Sequence, residues 1–155
     1  MTTAAFADSS AVVKLYADES GADAVRDLPL LLVSQLARVE VPAALWRKYR
    51  IGELSAADVA VLVASFEADY FGSENEEPRF AAVAVTPALL DEAARLVGTH
   101  GLRAYDSVQL ASACAARDVL DEDLVFVAFD KPLCEAAAAE SLELLREAVP
   151  PDQLA

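Results

Sequence analysis

Residues 124–130 read LVFVAFD, and residues 2–8 read TTAAFAD. Both are short apolar runs that stop at an aspartate, Asp130 in one and Asp8 in the other. An apolar run of this length without polar alternation is the pattern of a strand buried on both faces, as in a parallel sheet. In open α/β sheets, sites are built beyond the carboxyl ends of the strands. An aspartate at that point in two strands is therefore a signal of function as well as of fold.

Outward from these runs, strands and helices alternate. Asp8 is followed by Ser9 and Ser10, which open a helix with Val12, Val13 and Tyr16 as its apolar positions. A helical stretch over residues 22–27 leads through Pro29 into the strand LLLVS, and Ser34 is placed to cap the next helix. Pro42 lies inside that helix, where it removes a hydrogen bond at a cost of about 3 kcal/mol, so a kink is expected there. Ser55 precedes a long Ala/Val helix that stops at Gly72. A third strand spans residues 80–85, and Thr86-Pro87 starts a helix that ends near Gly98 or Gly101. A helix from about Ala104, the strand ending at Asp130, the helix KPLCEAAAAES and a short strand SLELL complete the order. The expected fold is α/β, with a central mainly parallel sheet of about five strands flanked by helices on both faces. At 155 residues, 55% of them hydrophobic, the chain can form one domain over residues 1–149 with a tail at 150–155.

Two further acids stand in unexpected places. In GLRAYDSVQLASACAAR, residues 101–117, Asp106 shares a stripe with Leu110, Ala113, Cys114 and Arg117. A first-turn acid can simply answer the helix dipole, so Asp106 alone decides nothing. In SQLARVEVPAALW, Glu40 falls inside the face formed by Leu36, Val39, Ala43 and Trp46, read as the apolar one. Asp8, Glu40, Asp106 and Asp130 thus lie on separate elements, each directed inward.

Carboxylates about 4 Å apart repel by roughly 4 kcal/mol at an effective dielectric near 20, so such a cluster holds protons or a cation. His100 is the single histidine and no Cys-x-x-Cys spacing occurs, which disfavours zinc. Oxygen ligands alone favour Mg²⁺ or Mn²⁺. These ions support hydrolysis of phosphodiesters without a nucleophilic side chain. Cys114 and Cys134 read as small core residues. The chain carries no long apolar run, so a soluble, cytoplasmic protein without membrane contact is expected.

The net charge of -14 opposes a nucleic-acid role, because polyanions are held by Lys and Arg. Part of that charge sits in two apparent loops, at Glu74, Glu76 and Glu77 and at Asp118, Asp121, Glu122 and Asp123. Lys14, Arg38, Arg103 and Lys131 flank the four acids and are the candidate phosphate contacts. Arg47, Lys48 and Arg50 read as a solvated helix end, and Trp46 and Tyr105 as core residues rather than base-stacking ones.

Taken together, FADSSAVVKLY, VEVPAALWR, GLRAYDSVQLASA and FVAFDKPLCEAA resemble the PIN-domain ribonucleases, specifically the VapC toxins of type II toxin-antitoxin pairs. The resemblance spans essentially the whole chain. It implies a PIN-like fold, a homodimer, and an endoribonuclease that hydrolyses RNA with a water activated by Mg²⁺ (or Mn²⁺). It implies Asp8, Asp106 and Asp130 as metal ligands, Glu40 as the helix acid of the same catalytic set, and Ser10 as a hydrogen-bonding residue beside Asp8. It also implies a VapB-type antitoxin docked along the groove, whose basic segment would suit an acidic surface. Two positions depart from the common pattern: Ala128 where many relatives have Ser or Thr, and Gln109 where many have His. Two rivals stand beside this reading. One is a catalytically weak PIN-like module that binds a basic partner peptide. The other is a receiver-like phospho-acceptor, which would want adjacent acids after the first strand, where Ser9 and Ser10 stand.

Overall fold

The computed structural model describes residues 4–17, 19–28, 30–121 and 123–145. Thr3, Pro29, Glu122 and the tail at 150–155, all invoked above, lie outside the described residues. Five strands form one sheet in the order β3-β2-β1-β4-β5, every neighbouring pair parallel. They are β1 (Ala4–Ala7), β2 (Leu30–Ser34), β3 (Phe80–Val83), β4 (Leu124–Val127) and β5 (Glu143–Leu144). This is the parallel α/β architecture that the strand pattern predicts, and it is consistent with the PIN-like fold that the resemblance implies.

Strand alternation explains the two layers. Ala4, Phe6, Leu32, Leu124 and Phe126 turn to one face and join the core contributed by α5 (Pro87–His100), α6 (Ala104–Val119) and α7 (Lys131–Ala139). Ala5, Ala7, Leu31, Val33 and Val127 turn to the other. There they meet α1 (Ser9–Val13), α2 (Ala22–Arg26), α3 (Ala37–Arg50) and α4 (Ala56–Phe71). Phe6 and Phe126, partners in register, stack with ring centroids 6.0 Å apart at the centre of the first layer.

The chain builds the sheet outward from β1 through β2 to β3, then returns to place β4 on the other side of β1. Connections therefore leave in opposite directions at β1 and β4, which opens a crevice at their carboxyl ends. The Asp8 N–H donates to the Val127 carbonyl at 3.0 Å across this point. The topology thus places both strand-end aspartates at one edge.

Helix α3 runs continuously through Pro42, so the proline does not end it. Two local expectations change. Ser34 does not cap α3. Its hydroxyl accepts from the Leu36 N–H at 3.2 Å and meets the Ser112 hydroxyl at 3.0 Å, while α3 begins after Leu36. The buried face of α3 also differs from the expected one: its buried residues are Ala37, Val41 and Leu45, whereas Val39 and Trp46 are exposed. The proline at position 42 and the small Ala43 and Ala44 made two faces of this helix look equally apolar.

Candidate active site

Asp8 follows β1 directly and is only 4% exposed. Its side chain caps α1, accepting from the Ala11 N–H at 2.9 Å, as a residue in extended backbone before a helix can. The Ser10 hydroxyl lies 2.8 and 2.9 Å from its two oxygens and donates to them. Burial pushes the Asp8 carboxyl up to about 7, against the lowering effect of these donors, and the charges of Asp106 and Glu40 push it further in the same direction.

Glu40 enters from α3 on the opposite face, flanking the buried stripe rather than lying within an apolar one. Burial raises its carboxyl above the usual range, the Gln109 and Ser9 donors oppose that, and the Asp106 charge adds to it. Asp106 sits in the first turn of α6 and accepts from Arg103 Nε at 3.1 Å. Asp130 caps α7, accepting from the Leu133 N–H at 3.1 Å. The Arg103 guanidinium lies in the field of Asp106, Asp130 and Glu40. Asp8 feels the charges of Asp106 and Glu40, while Asp130 is linked to this group only through the Arg103 guanidinium.

The donor set, carboxylate oxygens alone, suits a hard divalent cation. A buried Asp8 held near 7 among like charges also marks a place short of positive charge. Even so, among the described residues no three Asp, Glu, His or Cys side chains stand together as a ligand set. Asp106 is turned to Arg103 and Asp130 to the α7 backbone.

The basic candidates divide. Lys14 is committed: its ammonium meets Glu19 at 3.3 Å and the Ser20 carbonyl at 2.8 Å, and lies 4.4 Å from the Phe129 ring centroid. Arg38 lies over the Phe71 ring, 4.8 Å from its centroid, with Tyr70 beside it. Lys131 makes a loose pair with Glu135 at 3.9 Å on an exposed surface. Lys48 is no solvated helix end, because it bridges Glu19 and Glu53. Trp46 and Tyr105, read as core, are both exposed, Tyr105 to 64%. The cysteines are buried and unpaired, as expected.

Two site residues escaped the sequence reading as functional positions. Gln109, only 2% exposed, donates to Ser9 Oγ at 2.8 Å and to Glu40 Oε1 at 2.7 Å. Ser9 Oγ in turn donates to Glu40 Oε1 at 3.1 Å. The available signal was the spacing: Gln109 lies one turn beyond Asp106 on the same stripe. Ala128, the other departure, is buried with its carbonyl accepting from Cys134 Sγ at 3.3 Å.

No family model matches the chain, and no curated protein matches it. Among solved structures it is similar to the crystal structure of PAE2754 from Pyrobaculum aerophilum, with a TM-score of 0.57 at 23% identity. The match covers 99% of this chain and 88% of that one. At this identity the likeness establishes the fold. It leaves the chemistry to be argued from the acids themselves. Among the described residues, no helix is long and apolar enough to cross a membrane.

Proposed function

We propose that this protein is a PIN-type endoribonuclease dependent on Mg²⁺ or Mn²⁺, and that it acts in the cytoplasm as the VapC-like toxin of a toxin-antitoxin pair. The observation that supports the reading is the placement of Asp8 and Asp130 just beyond the carboxyl ends of the adjacent parallel strands β1 and β4, with the charges of Asp106 and Glu40 acting on the buried Asp8. Asp8, Asp106 and Asp130 would hold the cation. When bound it would supply electrophilic stabilisation of a phosphodiester and acidify water at neutral pH.

The chain's own groups account for the remaining roles. Glu40, with its proton affinity raised by burial above that of an ordinary carboxylate, is a better proton acceptor than a solvated one. Ser10 holds the Asp8 oxygens in place. Arg103, Arg38 and Lys131 are the cations left to meet RNA phosphates, since Lys14 is occupied. The homodimer and a VapB-type antitoxin rest on the family resemblance; a basic antitoxin segment is favoured by the -14 charge.

The experiment is Mn²⁺-dependent cleavage of a single-stranded RNA panel by the wild type, Asp8→Asn and Asp106→Asn, with growth inhibition measured alongside. The nuclease reading requires both effects in the wild type and neither in the variants. The second reading, a binding module for a basic peptide, is favoured by the guanidinium already paired to Asp106. It expects no cleavage and a cellular effect that survives Asp8→Asn.

A further inference from the structure

Glu40 is held by one oxygen. Both donors that reach it, Gln109 Nε2 at 2.7 Å and Ser9 Oγ at 3.1 Å, converge on Oε1. Among the described residues no hydrogen bond reaches its Oε2. Gln109 bonds to Ser9 as well, so α6, α1 and α3 meet in a closed triangle of polar contacts around this single oxygen.

The orientation of the Gln109 amide follows from the same geometry. Its own Oε1 is enclosed and has no partner among the described residues. Rotating the amide by half a turn would set that oxygen 2.7 Å from a carboxylate oxygen, where two acceptors repel. The amide is therefore oriented by an anion at Glu40. A group recruited only to tie helices together would be expected to satisfy both its ends.

We propose that Gln109, with Ser9, is the positioning residue that anchors Glu40 Oε1 and so leaves Oε2 presented to the acidic crevice. Part of this inference rests on the nuclease reading, because the crevice is where the cation and the phosphodiester would sit. Removing the amide would let the carboxylate rotate, and its free oxygen would no longer be delivered in one direction.

The test has two arms. In the first, Gln109→Leu and Gln109→His are compared with wild type by Mn²⁺ calorimetry and steady-state RNA cleavage, with thermal melting as the folding control. The leucine variant is expected to keep near wild-type Mn²⁺ affinity, because Glu40 is not among the proposed cation ligands, and to lose kcat with little change in KM. The histidine variant, which keeps a ring N–H donor, is expected to recover most of kcat. A folded leucine variant with wild-type kcat overturns the proposal. The second arm needs no activity. The chain has three glutamines, Gln35, Gln109 and Gln153, so ¹⁵N-glutamine labelling gives three side-chain amide pairs in an NMR spectrum. The Gln109 pair is expected to be shifted and slow to exchange, and to move on Glu40→Gln and on Ser9→Ala. If it does not move, the anchoring role is wrong whatever the leucine variant does. If the wild type neither binds Mn²⁺ nor cuts RNA while the amide still answers Glu40→Gln, the nuclease reading fails and the anchor stands.

Discussion

Arg103 Nε lies 3.1 Å from Asp106 Oδ2, three residues along at the opening of α6. An internal cation thus stands where the proposed divalent ion would bring its charge. The pair is largely exposed on the arginine side, which makes it weak and exchangeable rather than a structural bond.

Arg103→Gln should therefore act in opposite directions on two ligands. Without the competing guanidinium, Mn²⁺ affinity measured by calorimetry is expected to rise several-fold. RNA affinity should fall, and the slope of log affinity against log salt should decrease by about one unit per lost phosphate contact. An unchanged Mn²⁺ affinity would show that the ion and the guanidinium do not compete.

Asp8 makes stability depend on pH. Its folded value of about 7 lies above the ordinary value of 3.8, because burial disfavours the anion. A raised folded value means that the folded chain binds the proton more tightly than the unfolded chain does. The resulting stabilisation is complete below about pH 4 and is lost as pH rises through 7. The full span corresponds to on the order of 4 kcal/mol. Denaturant unfolding in EDTA should show falling stability between pH 5 and pH 8. Mg²⁺ should restore more of it at pH 8 than at pH 5, and Asp8→Asn should flatten both trends.

The candidate phosphate contacts should separate. Lys14→Gln removes an ammonium already satisfied by Glu19 and the Ser20 carbonyl, so it should leave the salt dependence of RNA binding unchanged. Arg38→Gln and Lys131→Gln remove cations with looser partners and should each lower RNA affinity modestly. Filter binding over a salt series distinguishes the two outcomes.

Phe126→Ala should cost about 3–5 kcal/mol, because it empties a fully buried site in the first core layer and removes the stack on Phe6. Urea unfolding measures this directly. A loss below about 1 kcal/mol would mean that the layer collapses around the cavity.

Much of the architecture was legible because parallel strands buried on both faces write themselves as apolar runs. β1 and β4 read as short apolar segments followed by acids, α5 and α7 from the Pro residues at their starts, and α6 from the helical stripe beginning near Ala104. The buried face of α3 was not legible. Its small and apolar residues occur on two sides, and only packing against Val33, Val59 and Phe66 selects Ala37, Val41 and Leu45. The same limit misplaced Trp46 and Tyr105, since aromatic residues next to an apolar stripe carry no sign of which side is covered.

Local sequence determined which residues could be acids at strand ends and helix starts, because capping and strand termination are decided within a few residues. Only the tertiary structure decided that Gln109 reaches Glu40 across 69 positions and Ser9 across 100, and that Ser112 meets Ser34 across 78. Those contacts depend on where separate helices cross the edge of the sheet, and their distances along the chain leave no periodicity to read.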